Sequence, residues 1–455
     1  MPSSGEDPAE LLARLIRFDT SNPPGRERDC IDYIERLLSD AGLETTICAA
    51  EDDRPNLIAR WRGRGAAPPL MLYGHVDVVP AEPAEWSRPP FDGDIDEGYV
   101  WGRGALDMKG GVAMMICALL RARADGIDPA GDILFVALSD EERGSKVGAR
   151  YLVEHHAELF EDVRYAIGEF GGYTMHLAGH RFYPIQVAEK QTCQVRATLR
   201  GPGGHGSLPP RGGATAKLGS LLRSLDENRL PLHMTPVVQR MLEEMAASLP
   251  LAAGPVARQV VGAAARLPAP ANAALRGLIR PELVNLLIDH AGDAATLLDP
   301  LLHNTAVPTI VRAGAKENVV PSEASVLIDG RLLPEQRPED FLRELADAVG
   351  PEAELEVIAY DESSPDVDYT LFPLLGEILT GLDPGSTASP MLLPAVTDGR
   401  LFARLGIQSY GFVPLRLEPS FKFTETIHAS DERVPVEALE FGTRAISQLL
   451  ARYDG

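Results

Sequence analysis

The chain has 455 residues, 45% of them hydrophobic and 24% charged, with a formal net charge of -23. That length exceeds what one ordinary core organises and implies two domains, or one domain carrying a large insertion. The acidic surface repels phosphate backbones and anionic lipid, which excludes nucleic-acid and membrane-surface binding as main activities and leaves small substrates and divalent cations as the better partners.

The chain opens with a polar, acidic stretch, residues 1–10, that lacks the basic start and apolar run of a secretory signal. No uncharged apolar stretch reaches the roughly 18 residues of a membrane span. The four cysteines, Cys30, Cys48, Cys117 and Cys193, are scattered without a CxxC pair, so they read as reduced core residues. The cytoplasm is the expected location.

Residues 9–43 show helical apolar spacing broken by Thr20-Ser21-Asn22-Pro23-Pro24-Gly25, which predicts two helices flanking a turn. Strands and helices then alternate. A short apolar run at 69–73, a helix at 111–123 after a glycine pair, a buried strand at 132–138, a helix around 148–158 and a strand at 165–168 together imply an α/β domain with a largely parallel sheet. Near Lys190 the pattern changes: strand at 192–200, helix at 213–225, strands at 306–312 and 325–332, helix at 338–349 and strand at 354–359 describe an inserted α+β unit. Within it, residues 229–302 form an Ala-, Leu- and Pro-rich helical insertion. The first domain resumes near Ser363, with helices at 372–380, 399–405 and 436–452. The expected division is therefore 1–189 and 362–455 for a main domain, and 190–361 for an inserted one.

Potential metal ligands stand just past the carboxyl ends of predicted strands, the edge where ligands bind in an open α/β sheet. His75 and Asp77 follow the first run, Glu141 and Glu142 follow the 132–138 strand, Glu169 follows the 165–168 strand, and Asp107 precedes Gly110-Gly111. An imidazole with hard carboxylate oxygens suits zinc or a similar divalent ion, and one carboxylate can bridge two. Two such ions activate a shared water, for which an adjacent unligated carboxylate serves as base. Taken singly each residue has a plainer reading: a surface histidine, a solvated acidic loop at Asp140-Glu141-Glu142, a turn residue at Asp77.

Three motifs stand in order: Gly74-His75-Val76-Asp77-Val78-Val79-Pro80, then Trp101-Gly102-Arg103-Gly104-Ala105-Leu106-Asp107-Met108-Lys109-Gly110-Gly111, then Ser139-Asp140-Glu141-Glu142. They closely resemble the successive signatures of the dizinc metallopeptidase family that includes aminoacylases, acetylornithine deacetylase, succinyl-diaminopimelate desuccinylase, carboxypeptidase G and carboxypeptidase S. The resemblance extends over nearly the whole chain, including Val396-Thr397-Asp398-Gly399-Arg400, and is least typical at 229–302.

The resemblance implies a zinc-peptidase-type catalytic domain with a mixed, largely parallel sheet, interrupted by an α+β lid that also dimerises. It implies His75 and Glu169 as ligands of one zinc, Glu142 and His428 as ligands of the other, and Asp107 as the bridge. Glu141 becomes the general base, and Asp77 holds the far nitrogen of His75. His428 is selected by Ile427-His428-Ala429-Ser430-Asp431-Glu432, which matches the family's late histidine before an acidic pair. In the lid, His205 of Gly203-Gly204-His205-Gly206-Ser207 reaches a partner subunit's site and helps stabilise the oxyanion. Asn318 and Arg331 bind the substrate carboxylate. The expected reaction is hydrolysis of an amide or peptide bond next to a free carboxylate, by a metallocarboxypeptidase, dipeptidase or N-acyl-amino-acid deacylase with two zinc ions, cobalt or manganese being substitutes. A biosynthetic deacetylase or desuccinylase is the alternative within the enzyme class, and a catalytically silent binding protein the alternative outside it.

Overall fold

The computed structural model describes residues 6–177, 179–208, 210–248, 299–363 and 366–455. Two helices, Pro8–Ile16 and Arg28–Asp40, flank the expected turn. The strands in chain order are β1 (Glu44–Cys48), β2 (Asn56–Trp61), β3 (Leu70–His75), β4 (Asp94–Asp96), β5 (Tyr99–Trp101), β6 (Ile133–Leu138), β7 (Tyr165–Gly168), β8 (Met175–Leu177) and β9 (His180–Glu189). There follow β10 (Gln191–Arg200), β11 (Gly204–His205), β12 (Thr305–Ala313), β13 (Val319–Val320), β14 (Glu323–Leu332), β15 (Ala353–Asp361), β16 (Thr387–Leu393), β17 (Gln408–Gly411) and β18 (Arg433–Pro435).

The large sheet runs β1-β2-β6-β3-β7-β17-β9-β16, with β8 beside β9. Its centre is parallel: β6 and β7 both run with β3, and β17 runs with β7. Antiparallel pairings at β1-β2-β6 and at β17-β9 make the whole sheet mixed. Every residue of β3, β6 and β7 is buried, because helices cover both faces and leave no solvent side for alternation. The helix Lys109–Ala124 is apolar almost all round for the same reason, lying between the sheet and the C-terminal helix Val436–Arg452. β9 has no counterpart in the sequence reading. Its buried run contains Pro184, Gln186 and Glu189, which break both the alternating and the continuous apolar pattern.

Residues 191–361 supply a second sheet of order β12-β14-β10-β15. Here β10 and β14 alternate buried with exposed positions, as a sheet covered on one face must. The covering helices are Ala214–Glu227 and Pro338–Val349, which bury Leu218, Leu221, Phe341 and Leu345 over a core separate from the main one. β11 and β13 form a two-stranded ribbon beside it. Of the expected helical insertion, the helix Pro236–Ser248 is described and 249–298 lie outside the described residues. That helix sends Val237, Val238, Met241, Leu242 and Met245 into the core of the large sheet and packs on β16. The insertion therefore starts in the small unit but buries its apolar face against the large one. No described helix is long and apolar enough to cross a membrane. All four cysteines are buried and unpaired.

The packing of Pro338–Val349 on β14 depends on the absence of a side chain at position 330. A Cβ there would meet the Cys193 carbonyl at 2.5 Å and the Phe341 ring at 2.5 Å. Gly330→Ala should destabilise the protein by about 1–3 kcal/mol, the usual cost of overpacking a core. Urea denaturation checks this; an unchanged midpoint would show that the helix is free to move off the sheet.

Candidate metal centre

Because β6, β3 and β7 are parallel neighbours, their carboxyl ends open on one edge of the sheet. His75 is the last residue of β3, Glu141 and Glu142 occupy the single turn after β6, and Glu169 follows β7. Asp107 comes from the turn that starts the helix Lys109–Ala124, and His428 from the loop after the short helix Phe423–Thr426. The structure brings all five expected ligands into two donor groups, His75 with Asp107 and Glu169, and Asp107 with Glu142 and His428.

The two oxygens of Asp107 face different groups. His75 Nε2 lies 3.0 Å from Asp107 Oδ1 and 3.4 Å from Glu169 Oε2. His428 Nε2 lies 3.2 Å from Asp107 Oδ2 and 3.2 Å from Glu142 Oε1. The tautomer of His75 follows from its other nitrogen: Nδ1 sits 2.9 Å from the backbone carbonyl of Asp77, so it must donate there. Neutral His75 thus turns an Nε2 lone pair towards two carboxylates, which is repulsive unless a cation or a proton lies between them. His428 Nε2 likewise faces two carboxylates. Without a cation the groups answer with protons. Burial opposes charge on His75, yet hydrogen bonds to Asp107, Asp77 and Glu169 push it well up. Hydrogen bonds to Asp107 and Glu142 raise His428 to about 10. Burial raises Glu169 to about 7, and burial with the neighbouring Glu169 carboxylate pushes Glu141 well up. A donor set that demands positive charge at two positions, through one shared carboxylate, fits a pair of divalent cations.

Asp77 contacts more than His75. Its carboxylate is 3.5 Å from His75 Nδ1, but it also accepts the backbone N–H of Glu141 at 3.1 Å and of Glu142 at 3.2 Å, and the Asn22 amide at 2.9 Å. One buried carboxylate thereby ties the β3 end to the turn carrying both glutamates. On the imidazole itself the Asp77 carbonyl lies nearer to Nδ1, at 2.9 Å, than its carboxylate does.

Two arginines that carry no role in the sequence reading complete this frame. Buried Arg54 joins Glu27 at 2.8 Å and Asp140 at 3.0 Å. Asp140 has φ 69°, a left-handed conformation costly for a residue with a side chain, and it is held there by Arg54, Asn22 and the Val147 N–H. On the other side, Glu432 accepts from Arg103 at 2.6 Å and from the backbone N–H groups of Gly104, Leu106 and Asp107 at 3.2, 2.7 and 3.2 Å, while Arg103 also donates to the His428 carbonyl. This clamp sets Asp107 against His428. Arg103 and Glu432 lie inside the motifs and were visible there; Arg54, between Asp53 and Pro55 in a loop, carries no local signal. Asp398, from Val396-Thr397-Asp398-Gly399-Arg400, is also buried beside the cluster and accepts a hydrogen bond from Ser145. Burial raises it to about 6.

The three expected lid residues lie in the inserted unit. His205, on β11, is exposed and hydrogen-bonded to the Ser207 hydroxyl. Asn318 is exposed next to β13, and its carbonyl accepts the Gly206 N–H, so the ribbon keeps these two together. Arg331, on β14, holds Asp329 through two parallel hydrogen bonds of 2.9 and 3.0 Å. The hydrogen bonds of all three stay within the inserted unit.

Comparison with known proteins agrees with this geometry. Residues 71–452 match the family described as Peptidase family M20/M25/M40. A succinyl-diaminopimelate desuccinylase of Cereibacter sphaeroides is 35% identical over 234 residues, 50% of this chain and 57% of that protein. The chain thus matches little more than half the length of that relative. A probable carboxypeptidase S-like protein of Dictyostelium discoideum is 26% identical over 84% of this chain and 71% of its own. The N-fatty-acyl-amino acid synthase/hydrolase PM20D1 of Xenopus tropicalis is 26% identical over 85% of this chain and 72% of its own. Among solved structures, an M20 family metallo-carboxypeptidase from Sulfolobus solfataricus superposes with a TM-score of 0.66 at 16% identity, covering 99% of both chains. A Bacillus subtilis protein described as a dinuclear metal binding peptidase from the M20 family gives 0.55 at 15% identity, covering 98% of both. On the match over residues 71–452, the chain belongs to peptidase family M20/M25/M40.

Proposed function

We propose that this protein is a two-zinc hydrolase that cleaves an amide or peptide bond next to a free carboxylate, with N-acyl amino acids or short peptides as substrates. The observation that carries the reading is the single carboxylate of Asp107 facing both imidazole-carboxylate groups, with the unligated Glu141 beside them. When bound, the cations polarise the scissile carbonyl and lower the pKa of a water. Glu141 takes the proton of that water and returns it to the leaving nitrogen. His75 presents Nε2 because Asp77 engages Nδ1, and Arg54 and Glu432 keep the two halves of the centre in register. Cobalt or manganese would substitute for zinc in the same donor set.

The inserted unit, taken as 190–361, serves as the lid on a main domain of 1–189 and 362–455. Asn318 and Arg331 bind the substrate carboxylate, which replaces Asp329 on the guanidinium fork, and His205 assists the carbonyl oxygen. The lid also carries a dimer interface. Of the two edges of its sheet, β15 carries the exposed Glu354 and Glu356 beside one exposed apolar residue, Ile358 at 38%, whereas β12 exposes three, Val307 at 56%, Ile310 at 48% and Val311 at 50%. An apolar edge with no neighbouring strand among the described residues suits pairing with another chain. The four buried, unpaired thiols suit the cytoplasm. A second reading, desuccinylase, is favoured by the 35% identity to the Cereibacter protein.

Glu141→Gln should abolish turnover of every substrate in a panel of N-acyl amino acids and dipeptides while metal content stays at two per chain, because a base is lost and no ligand is. Retained activity with lost metal would reverse the roles of Glu141 and Glu142.

Metal analysis separates the ligands. Asp107→Ala should cost both ions, while His75→Ala and His428→Ala should each weaken mainly one. Full occupancy in the aspartate variant would remove the bridge.

Light scattering should give the mass of a dimer for the wild type, and Val307→Lys with Val311→Lys should shift it to a monomer. A monomeric wild type would leave the β12 edge without a partner.

A further inference from the structure

Arg400 closes the motif Val396-Thr397-Asp398-Gly399-Arg400 and takes no part in the metal centre, yet it is a buried cation, only 5% exposed. Among the described residues its guanidinium gives one hydrogen bond, from Nη1 to the Thr397 carbonyl, its Nε is buried without a partner, and it forms no ion pair. Glu189 and Asp398 lie near enough to feel its charge, but their hydrogen bonds go elsewhere. Glu189 takes the Thr397 N–H at 2.6 Å, and Asp398 accepts from Ser145. Burial raises Glu189 to about 7 even with Arg400 nearby, so this carboxylate offsets the guanidinium poorly. A buried guanidinium without a carboxylate is costly, and an anion beside it would remove that cost.

There is room for one. Arg400 lines a cavity of about 380 Å³, within the size range of small-molecule sites, and the Ser363 hydroxyl, also buried without a partner, lines it too. None of His75, Asp107, Glu142, Glu169 and His428 belongs to its wall, so this space is separate from the metal centre. We infer that the cavity is a second binding site, for a free α-amino acid with a small aliphatic side chain whose carboxylate sits on Arg400.

Charge selects a zwitterion over a simple anion. The ionisable residues of the wall are Arg164, Glu189, Asp366, Asp368 and Arg400. Arg164 and Asp368 neutralise each other across 2.9 Å. What is left is one buried guanidinium with the acids Glu189 and Asp366, so a phosphate would gain one cation and face two carboxyl groups. An amino acid brings a carboxylate for the guanidinium and an ammonium for the acidic side. Val187 and Ile407 give the wall an aliphatic part for the side chain.

The place of the cavity gives its occupation a consequence. Its wall includes residues 187–189 at the end of β9 and 366–368 after β15, and these are where the chain leaves the large sheet for the inserted unit and returns from it. A molecule held between the two crossings braces them together.

Calorimetry on the zinc-loaded protein tests this with leucine, with leucinamide, which lacks the carboxylate, and with inorganic phosphate, which lacks the ammonium. Leucine should bind, and leucinamide and phosphate should bind at least about tenfold more weakly. The leucine-binding component should survive in Arg331→Ala, the variant of the proposed substrate site, and fall at least about tenfold in Arg400→Gln. Ala403→Trp, which fills the cavity from its wall and keeps the guanidinium, should lose it as well, so the outcome does not hang on how Arg400→Gln folds. Leucine should also slow amide hydrogen exchange over residues 187–191 in the wild type and leave it unchanged in Arg400→Gln. Phosphate binding as tightly as leucine would overturn the amino-acid assignment. No leucine binding, binding abolished by Arg331→Ala, or binding untouched by both Arg400→Gln and Ala403→Trp would overturn the site.

Discussion

Like charges crowded into one buried edge are the constraint on which this structure turns. Asp107, Glu142 and Glu169 converge on His75 and His428, with Glu141 and Asp77 close by. Such a cluster folds only if hydrogen bonds hold each carboxylate from behind and positive charge is available in front. The frame behind is what the coordinates display most completely: Asp77 under the Glu141-Glu142 turn, Arg54 under Asp140, and Arg103 with Glu432 under Asp107.

That frame also explains why distant parts of the chain must fold together. Glu432 lies more than 300 positions from the Gly104, Leu106 and Asp107 amides it accepts from, and Arg54 links the second helix region to the β6 turn. The parallel centre of the sheet supplies rigidity, since fully buried strands with helices on both faces have one register that keeps apolar residues dry. The candidate ligands cluster at or just past the strand ends. His75 ends its strand inside the ladder, paired with Leu138, whereas Asp107, Glu142, Glu169 and His428 lie beyond it on turns.

The inserted unit follows different rules. It has its own core under a one-sided sheet, and its proposed substrate residues are exposed or paired locally, as with Arg331 on Asp329. Where the chain enters this unit, Lys190 donates to the His303 carbonyl, and Gln191 donates to the carbonyls of Leu333 and Gln336. Burial lowers Lys190 to about 7. A division into a preorganised ligand cluster and a separately cored lid suits substrate-driven closure.

Much of the fold and most of the centre were legible without coordinates. Strands 133–138 and 165–168, the helices 338–349 and 436–452, and the placement of His75, Glu141, Glu142 and Glu169 at strand ends follow from apolar periodicity and from the rule that parallel strands open their ligands on one edge. Asp107 was offered by the turn before Gly110-Gly111, whereas His428 came from a motif rather than from physical pattern. Tertiary structure alone decided the rest. β9 was hidden because Pro184, Gln186 and Glu189 find their environment only in the assembled sheet. Arg54 was hidden because its meaning lies in Glu27 and Asp140, two partners far along the chain. Sequence determines what each segment prefers to bury and which groups it carries; which of those groups touch is fixed by packing, through distances that no local pattern encodes.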